Sequence, residues 1–270
     1  MAETIKIGIT GAAGRMGRTL IGLCEADTRL QLAAAIERAD SPLVGTDAGL
    51  LAGSENTGIE VVSDLGGVVS ACDVVVDFTV PESTLLNVDV CRDAGCRMVV
   101  GTTGLGDDAD KLKAASKKIA MVFAPNMSVG VNLCFRLAEI AARSTGEHFD
   151  VEIIEAHHRH KIDAPSGTAV RLGEIVADTL GRDLKRDAVY GREGITGPRE
   201  QKTIGFETIR AGEIVGDHTV LFAGAGERIE ITHRAQDRST FASGALRAAQ
   251  WIMQHDQGLF DMQDVLGLKD

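Results

Sequence analysis

The first 37 residues constrain the fold more than any other stretch, because they read in succession as strand, glycine turn, helix and strand. "TIKIGIT" (4–10) is short, β-branched and stopped by glycine, the pattern of a buried strand. In "GRMGRTLIGLCEA" the apolar Met16, Leu20, Leu23 and Cys24 recur at helical spacing. "LQLAAAIE" (30–37) is a second apolar run, ending in an acid. Together these make a βαβ unit of about the expected length.

The rhythm continues through "DVVVDFT" (73–79), "RMVVGTT" (97–103) and "IAMVFAP" (119–125), with helical patterns around 82–94 and 107–118 between them. Continuous Val/Ile runs alternating with helices indicate parallel strands covered on both faces. The expected class is α/β, beginning with a Rossmann-like, doubly wound parallel sheet. From about residue 129 the pattern changes to a helix (130–145), the strand "DVEIIEAHH", and a helix from near Gly167. The strands "QKTIGFETIRAG", "GDHTVLFAG" and "ERIEITHRA" follow. Strands joined by short Gly/Asp turns predict an α+β second domain with an antiparallel or mixed sheet and few covering helices. The last helix, "TFASGALRAAQWIMQ" (240–254), presents Ala242, Leu246, Ala249, Trp251 and Met253 on one face and is placed back on the first domain. The segment 181–201 reads as a long, charged, mobile connection.

"GITGAAGRMG" sets Gly11, Gly14 and Gly17 between the first strand and the first helix. Glycine there permits a sharp turn and lets a pyrophosphate reach the amides at the positive end of the helix dipole. Arg15 adds a positive charge beside them. The spacing is G-x-x-G-x-x-G, with Ala13 at the third place, but the context of strand, helix and a later acid fits a dinucleotide site. A turn serving only close helix–strand packing is the competing reading. Glu37 suits the ribose hydroxyls of NAD, and neighbouring Arg38 suits the 2′-phosphate of NADP, so both cofactors stay open. "GTTG" (101–104) and "APNMSVG" (124–130) end later strands, where ligands sit in open α/β sheets. Caps for the following helices are the alternative for any one of these residues.

"EAHHRHKIDAPSGTA" (155–169) gathers three histidines, an arginine and a lysine in a chain whose formal net charge is −11. That charge argues against a protein coating nucleic acid or anionic membrane, so a basic site here is local. Ser166-Gly167-Thr168 opens the helix "AVRLGEIVADTL" and offers amides and hydroxyls for a carboxylate or phosphate. With Lys161 and the histidines nearby, the stretch describes a pocket for a small anion with more than one negative group. Histidine is the usual proton carrier at neutral pH. Two other readings remain: a metal site of His157, His158 and His160, which adjacent strand positions disfavour by pointing to opposite faces, and a solvated basic face.

In order and spacing, "GAAGRMG", "VVDFT", "GTTG", "NMSVGVN" and above all "EAHHRHKIDAPSGTA" resemble, over the whole chain, the 4-hydroxy-tetrahydrodipicolinate (dihydrodipicolinate) reductase family of the diaminopimelate route to lysine. The resemblance implies a dinucleotide-binding domain of residues 1–128 and 240–270 and a substrate-binding and oligomerisation domain of residues 129–239. It implies a homotetramer using NADH, NADPH or both on a small dicarboxylate, with no metal, nucleic acid or membrane partner. His157 corresponds to the general acid/base and Lys161 to a second proton donor, while His158, Gly167 and Thr168 hold the substrate carboxylates. Gly11, Ala12, Ala13, Gly14, Arg15, Met16, Glu37, Arg38, Gly101, Thr102, Thr103, Ala124, Pro125, Asn126 and Met127 correspond to cofactor contacts. Ala13 stands where some members have glycine, and Met127 where an aromatic residue is common. In the family's reaction a hydride adds to ring carbon 4 and carbon 3 takes a proton, assigned here to His157.

Five scattered cysteines without a C-x-x-C pair indicate reduced, mostly buried thiols. None sits in a polar loop beside a histidine, which disfavours a thioester-forming dehydrogenase. The start of the chain lacks a basic n-region with an apolar h-region, and no stretch approaches about 18 apolar residues, so a cytoplasmic protein is expected. Hinges are expected near 127–130 and 237–240. A cofactor sensor without catalysis is the alternative from another class.

Overall fold

The chain opens with β1 (Ile5–Thr10), α1 (Arg15–Ala26) and β2 (Leu30–Ile36), followed by α2 (Ala48–Ala52) and β3 (Val61–Val62). Next come β4 (Val74–Asp77), α3 (Pro81–Ala94), β5 (Arg97–Val100), α4 (Ala109–Ala115) and β6 (Ala120–Phe123). After α5 (Val129–Thr145) come β7 (Asp150–His157), α6 (Gly167–Leu180), α7 (Leu184–Asp187), β8 (Ala188–Tyr190), β9 (Ile204–Arg210), β10 (Gly216–Ala223) and β11 (Arg228–Ala235). The chain closes with α8 (Ser239–Trp251), β12 (Gly258–Phe260) and α9 (Met262–Val265). The structure is a computed structural model and describes residues 4–269. It divides into two compact units, Met1–Val129 with Arg238–Asp270, and Gly130–Asp237.

In the first unit the strands run in the order β12-β6-β5-β4-β1-β2-β3, and every neighbouring pair is parallel. Val74, Val75 and Val76 are fully buried because helices cover both faces of the sheet. One face packs Leu20, Ile21 and Cys24 of α1 with Ala242, Ala245 and Ala249 of α8. The other packs Val88 and Cys91 of α3 with Leu112 and Ala115 of α4. Each buried aliphatic side chain contributes about 1.5–3 kcal/mol. Local chemistry sets the helix ends: α3 begins with Pro81 at its first position and ends on left-handed Gly95. The chain order reverses between β1 and β4, which places the crevice for a ligand at the carboxyl ends of those strands.

In the second unit the order is β11-β10-β7-β9-β8. Strand β10 is antiparallel to β11 and β7, whereas β9 is parallel to β7 and β8, giving a mixed sheet. Its apolar face, with Val151, Ile153, Phe206, Val220 and Phe222, packs against α6 and against Ala138 and Ala142 of α5. Ser166 caps α6 by accepting from Ala169 N, and left-handed Gly181 ends it.

The charged segment 181–201 is not the free connection that its composition predicts. It forms α7 and the edge strand β8. Two arginines fasten the remainder: Arg192 grips both oxygens of Glu152 at 3.0 and 2.7 Å, and Arg199 reaches Glu152, Asp150 and the carbonyls of Val151 and Thr203. Arg186, Asp187, Arg192 and Arg199, among the charges that suggested solvent, are ion-pair partners. Composition also gave no sign of α2, β3, β12 or α9.

Candidate active site

The glycine turn follows β1 with Gly11 in the left-handed region, φ 66°, where a side chain would be strained. A Cβ on Gly17 would lie 2.2 Å from the Gly11 carbonyl oxygen, so only glycine lets α1 come so close to the turn. Gly14 is the extended N-cap of α1 and supplies no capping side chain, which leaves the amides of the first turn facing outward for an anion. Arg15 stands at the first helical position. Arg238, which sequence reading did not single out, lies near enough to Arg15 that burial and then the Arg15 charge hold its guanidinium below the usual range. Two cations beside an open helix start fit a pyrophosphate, and the residues present therefore fit a dinucleotide.

Glu37 is engaged with the turn itself. Its Oε2 accepts from Ala13 N at 2.9 Å and its Oε1 from Arg38 N at 3.1 Å. Exposed Arg38 pairs with Asp40 at 3.2 Å. The loops after β4 and β5 are joined by Asp77, which is fully buried. Its Oδ1 accepts from Thr79 N and from the hydroxyls of Thr79, Thr84 and Thr102, and its Oδ2 accepts from Asn87 Nδ2 at 2.7 Å. A Cβ on Gly101 would strike the Phe78 ring at 2.1 Å. Gly11, Ala13, Gly14, Arg15, Met16, Glu37, Arg38, Thr103, Pro125 and Asn126 are at least partly accessible. Ala12, Gly101, Thr102, Ala124 and Met127 are buried. Met127 belongs to the core, with its carbonyl 1.8 Å from where a Gly244 Cβ would stand.

In the second unit, β7 carries Val151, Ile153, Glu155 and His157 on its buried face, so the apolar core ends in an acid and a histidine. His157 Nδ1 meets Glu155 Oε2 at 2.5 Å. Arg210 of β9 holds the same carboxylate through Nη1 and Nη2 at 2.9 and 2.8 Å, and Ser166 N adds a contact at 3.2 Å. Burial opposes ionisation of Glu155, but Arg210 and His157 outweigh it and keep the carboxyl below its usual range. Burial first, then the charges of Lys161 and Arg210, hold His157 below its usual range against the pull of Glu155, so the resting imidazole is neutral at pH 7. His218 of β10 stands T-shaped to His157 at 5.0 Å, and its Nε2 meets Ser166 Oγ at 2.8 Å. Burial is the main cause that pushes His218 down to about 3.

Lys161 pairs with Asp163 at 2.8 Å. His158 keeps a buried Nδ1 with no protein partner, and its ring lies 6.2 Å from that of His160. Gly167 and Thr168 head α6. A Cβ on Gly167 would meet nothing within 4 Å, so the backbone there is open to a ligand. His157, Lys161, His158, Gly167 and Thr168 thus come from one strand end and the loop leading into α6. Glu155, Arg210 and His218 had no role in the sequence reading. Glu155 was signalled by its place two residues before His157, whereas Arg210 and His218 join only through strand pairing. Among the described residues no group of three or more His, Cys, Asp or Glu side chains is arranged to hold a metal. Burial pushes the thiols of Cys24 and Cys72 up to about 12, so neither supplies a nucleophile.

The family model described as dihydrodipicolinate reductase, N-terminus, matches residues 5–127, and that described as dihydrodipicolinate reductase, C-terminus, matches residues 130–266. A 4-hydroxy-tetrahydrodipicolinate reductase of Methylococcus capsulatus is 61% identical over 98% of this chain and 99% of its own. One of Acinetobacter baumannii is 55% identical over 100% of this chain and 99% of its own. Among solved structures, a dipicolinate-bound dihydrodipicolinate reductase from Paenisporosarcina sp. TG-14 shares the fold, with a TM-score of 0.74 at 24% identity over 97% of this chain and 98% of that one. In the described residues no helix is long and apolar enough to cross a membrane. Two matching models spanning nearly every residue, and relatives of such identity, mean that the chain belongs to the dihydrodipicolinate reductase family, the 4-hydroxy-tetrahydrodipicolinate reductases.

Proposed function

We propose that this chain catalyses the NAD(P)H-dependent reduction of 4-hydroxy-tetrahydrodipicolinate, by way of dihydrodipicolinate, to tetrahydrodipicolinate in the diaminopimelate route to lysine. The observation that carries the reading is the His157–Glu155–Arg210 cluster beside the open start of α6, a proton carrier next to a seat for anions.

A reduced nicotinamide, when bound, supplies the hydride that adds to ring carbon 4. The first-turn amides of α1, with Arg15, bind the pyrophosphate, and Glu37 and Arg38 face the adenosine ribose. The residues of 101–103 and 124–127 flank the nicotinamide end. In the second unit the amides of Gly167 and Thr168 take one substrate carboxylate, and His158 and Lys161 the other. One Lys161 N–H is engaged with Asp163, and an ammonium has two more to offer. Two bound carboxylates raise the proton affinity of the nearby His157, so the imidazole that is neutral at rest becomes charged in the complex. His157 then donates to carbon 3 as electron density develops there, and Lys161 balances the charge.

The same reading makes the second-unit sheet the assembly face of a cytoplasmic homotetramer. Its support is the face of that sheet opposite the one packed on α5 and α6, where exposed Ile209 of β9 stands with partly buried Ile154 of β7 and Leu221 of β10. Sedimentation velocity decides between tetramer and monomer. The activity is tested by the loss of NADH and, separately, NADPH absorbance with freshly condensed pyruvate and aspartate semialdehyde. Oxidation that needs both condensation partners supports the reading. No oxidation with either cofactor, while both still bind, overturns it.

A further inference from the structure

Glu155 is 1% exposed at the end of an otherwise apolar strand face. A carboxylate is costly there unless every contact is met, and four are made. Oε1 accepts from Arg210 Nη2 at 2.8 Å and Ser166 N at 3.2 Å. Oε2 accepts from Arg210 Nη1 at 2.9 Å and His157 Nδ1 at 2.5 Å. Strand pairing creates the arrangement, since His157 and Arg210 are direct partners across parallel β7 and β9. An ionised carboxylate only accepts hydrogen bonds. The short contact therefore needs the imidazole proton on Nδ1, which leaves Nε2 as the nitrogen that gains and loses a proton. A Cβ on Gly216 would lie 3.0 Å from Nε2, so the glycine keeps that atom clear.

We propose that Glu155 is a positioning residue for proton transfer by His157: it fixes the Nδ1–H tautomer and aims Nε2 at the substrate, and Arg210 clamps it for that task. The proposal rests on His157 being the proton donor. The groups facing His157 are Glu155 on β7, Arg210 on β9, His218 on β10 and Lys161 on the loop after β7. Among them Glu155 favours the charged imidazole, while burial, Lys161 and Arg210 oppose it. Without the carboxylate the donor is depleted at lower pH.

The test compares the native protein with Glu155→Gln and with Glu155→Gln/Arg210→Met, reading ring-nitrogen NMR of His157 and the pH profile of kcat/KM. In the native protein Nδ1 carries the proton, and the alkaline limb of the profile follows the His157 titration. In Glu155→Gln the Nδ1–H tautomer loses its dominance and the limb moves down by about one pH unit. That is roughly a ten-fold loss at pH 8, with cofactor affinity unchanged. An unchanged tautomer and an unmoved limb overturn the proposal. Glu155→Gln leaves Arg210 without its anion; should it fail to fold, the double variant removes both charges and must show the same loss of the Nδ1–H tautomer with a smaller downward move of the limb, because Arg210 itself opposes the charged imidazole, and a native tautomer in it is equally fatal. A His157→Gln variant that turns over at the native rate overturns both the donor assignment and the proposal. An inactive His157→Gln with an unaltered Glu155→Gln overturns the positioning role alone.

Discussion

The carboxylate of Glu37 accepts a hydrogen bond from the amide of Ala13 at 2.9 Å, tying the end of β2 to the turn after β1. One acid thus shapes the glycine cradle and, under the proposed function, faces the ribose.

Glu37→Ala orphans the Ala13 amide and removes the ribose acceptor. Hydrogen bonds to charged groups are worth about 1.5–3 kcal/mol, so the NADH dissociation constant should rise roughly 10- to 100-fold. The change for NADPH should be smaller, because a carboxylate repels a 2′-phosphate. Calorimetric titration with each cofactor measures both, and an unaltered NADH affinity would remove Glu37 from the site.

Gly17 and Gly22 lie on the same helix in opposite circumstances. A Cβ on Gly17 meets backbone at 2.2 Å, and one on Gly22 meets nothing within 4 Å. Gly17→Ala should cost about 1–3 kcal/mol of stability by overpacking and weaken both cofactors. Gly22→Ala should add about 0.5–1 kcal/mol by helix propensity. Denaturant titration of the pair checks the signs, and equal shifts would contradict the close approach.

Asp77 and Asn87 form a buried acceptor–donor pair at 2.7 Å. Asp77→Asn sets amide against amide or leaves hydroxyls unmatched, at about 1–3 kcal/mol. The exchanged double variant, Asp77→Asn with Asn87→Asp, should recover much of that loss. Additive losses in a double-mutant cycle would show that the two side chains do not act as a pair.

His218 makes stability fall with acid. An unfolded histidine binds its proton near pH 6.5, while burial first, then the neighbouring His157, holds His218 down to about 3 in the folded chain. Between those values the unfolded state binds more protons. The contribution is complete above pH 6.5 and is lost at about 1.4 kcal/mol per pH unit as pH falls toward 3. Unfolding free energies measured from pH 7 to 4 should slope less in His218→Gln, and matching slopes would place His218 in water.

The fold was legible where one physical signal dominates. Val74, Val75 and Val76 announce a strand buried on both faces, and Ser166 with Gly167 announces a helix start. The strands β3, β8 and β12 are two or three residues long and carry no period of their own. Register with longer neighbours makes them strands. The site divides in the same way. His157, His158 and Lys161 stand together in one quoted stretch, whereas Arg210 reaches Glu155 across 55 positions and His218 reaches Ser166 across 52. Such contacts need the sheet order, which no local pattern encodes. The segment 181–201 misled because composition shows how much charge is present and not what it pairs with.

The most direct measurement is single-turnover reduction by His157→Gln, with cofactor affinity measured in the same preparation. Loss of a general acid lowers the chemical step by roughly 10²- to 10⁴-fold, and that loss with near-native cofactor binding is the predicted result. A variant that keeps most of the native rate would contradict the assignment of His157 as the proton donor.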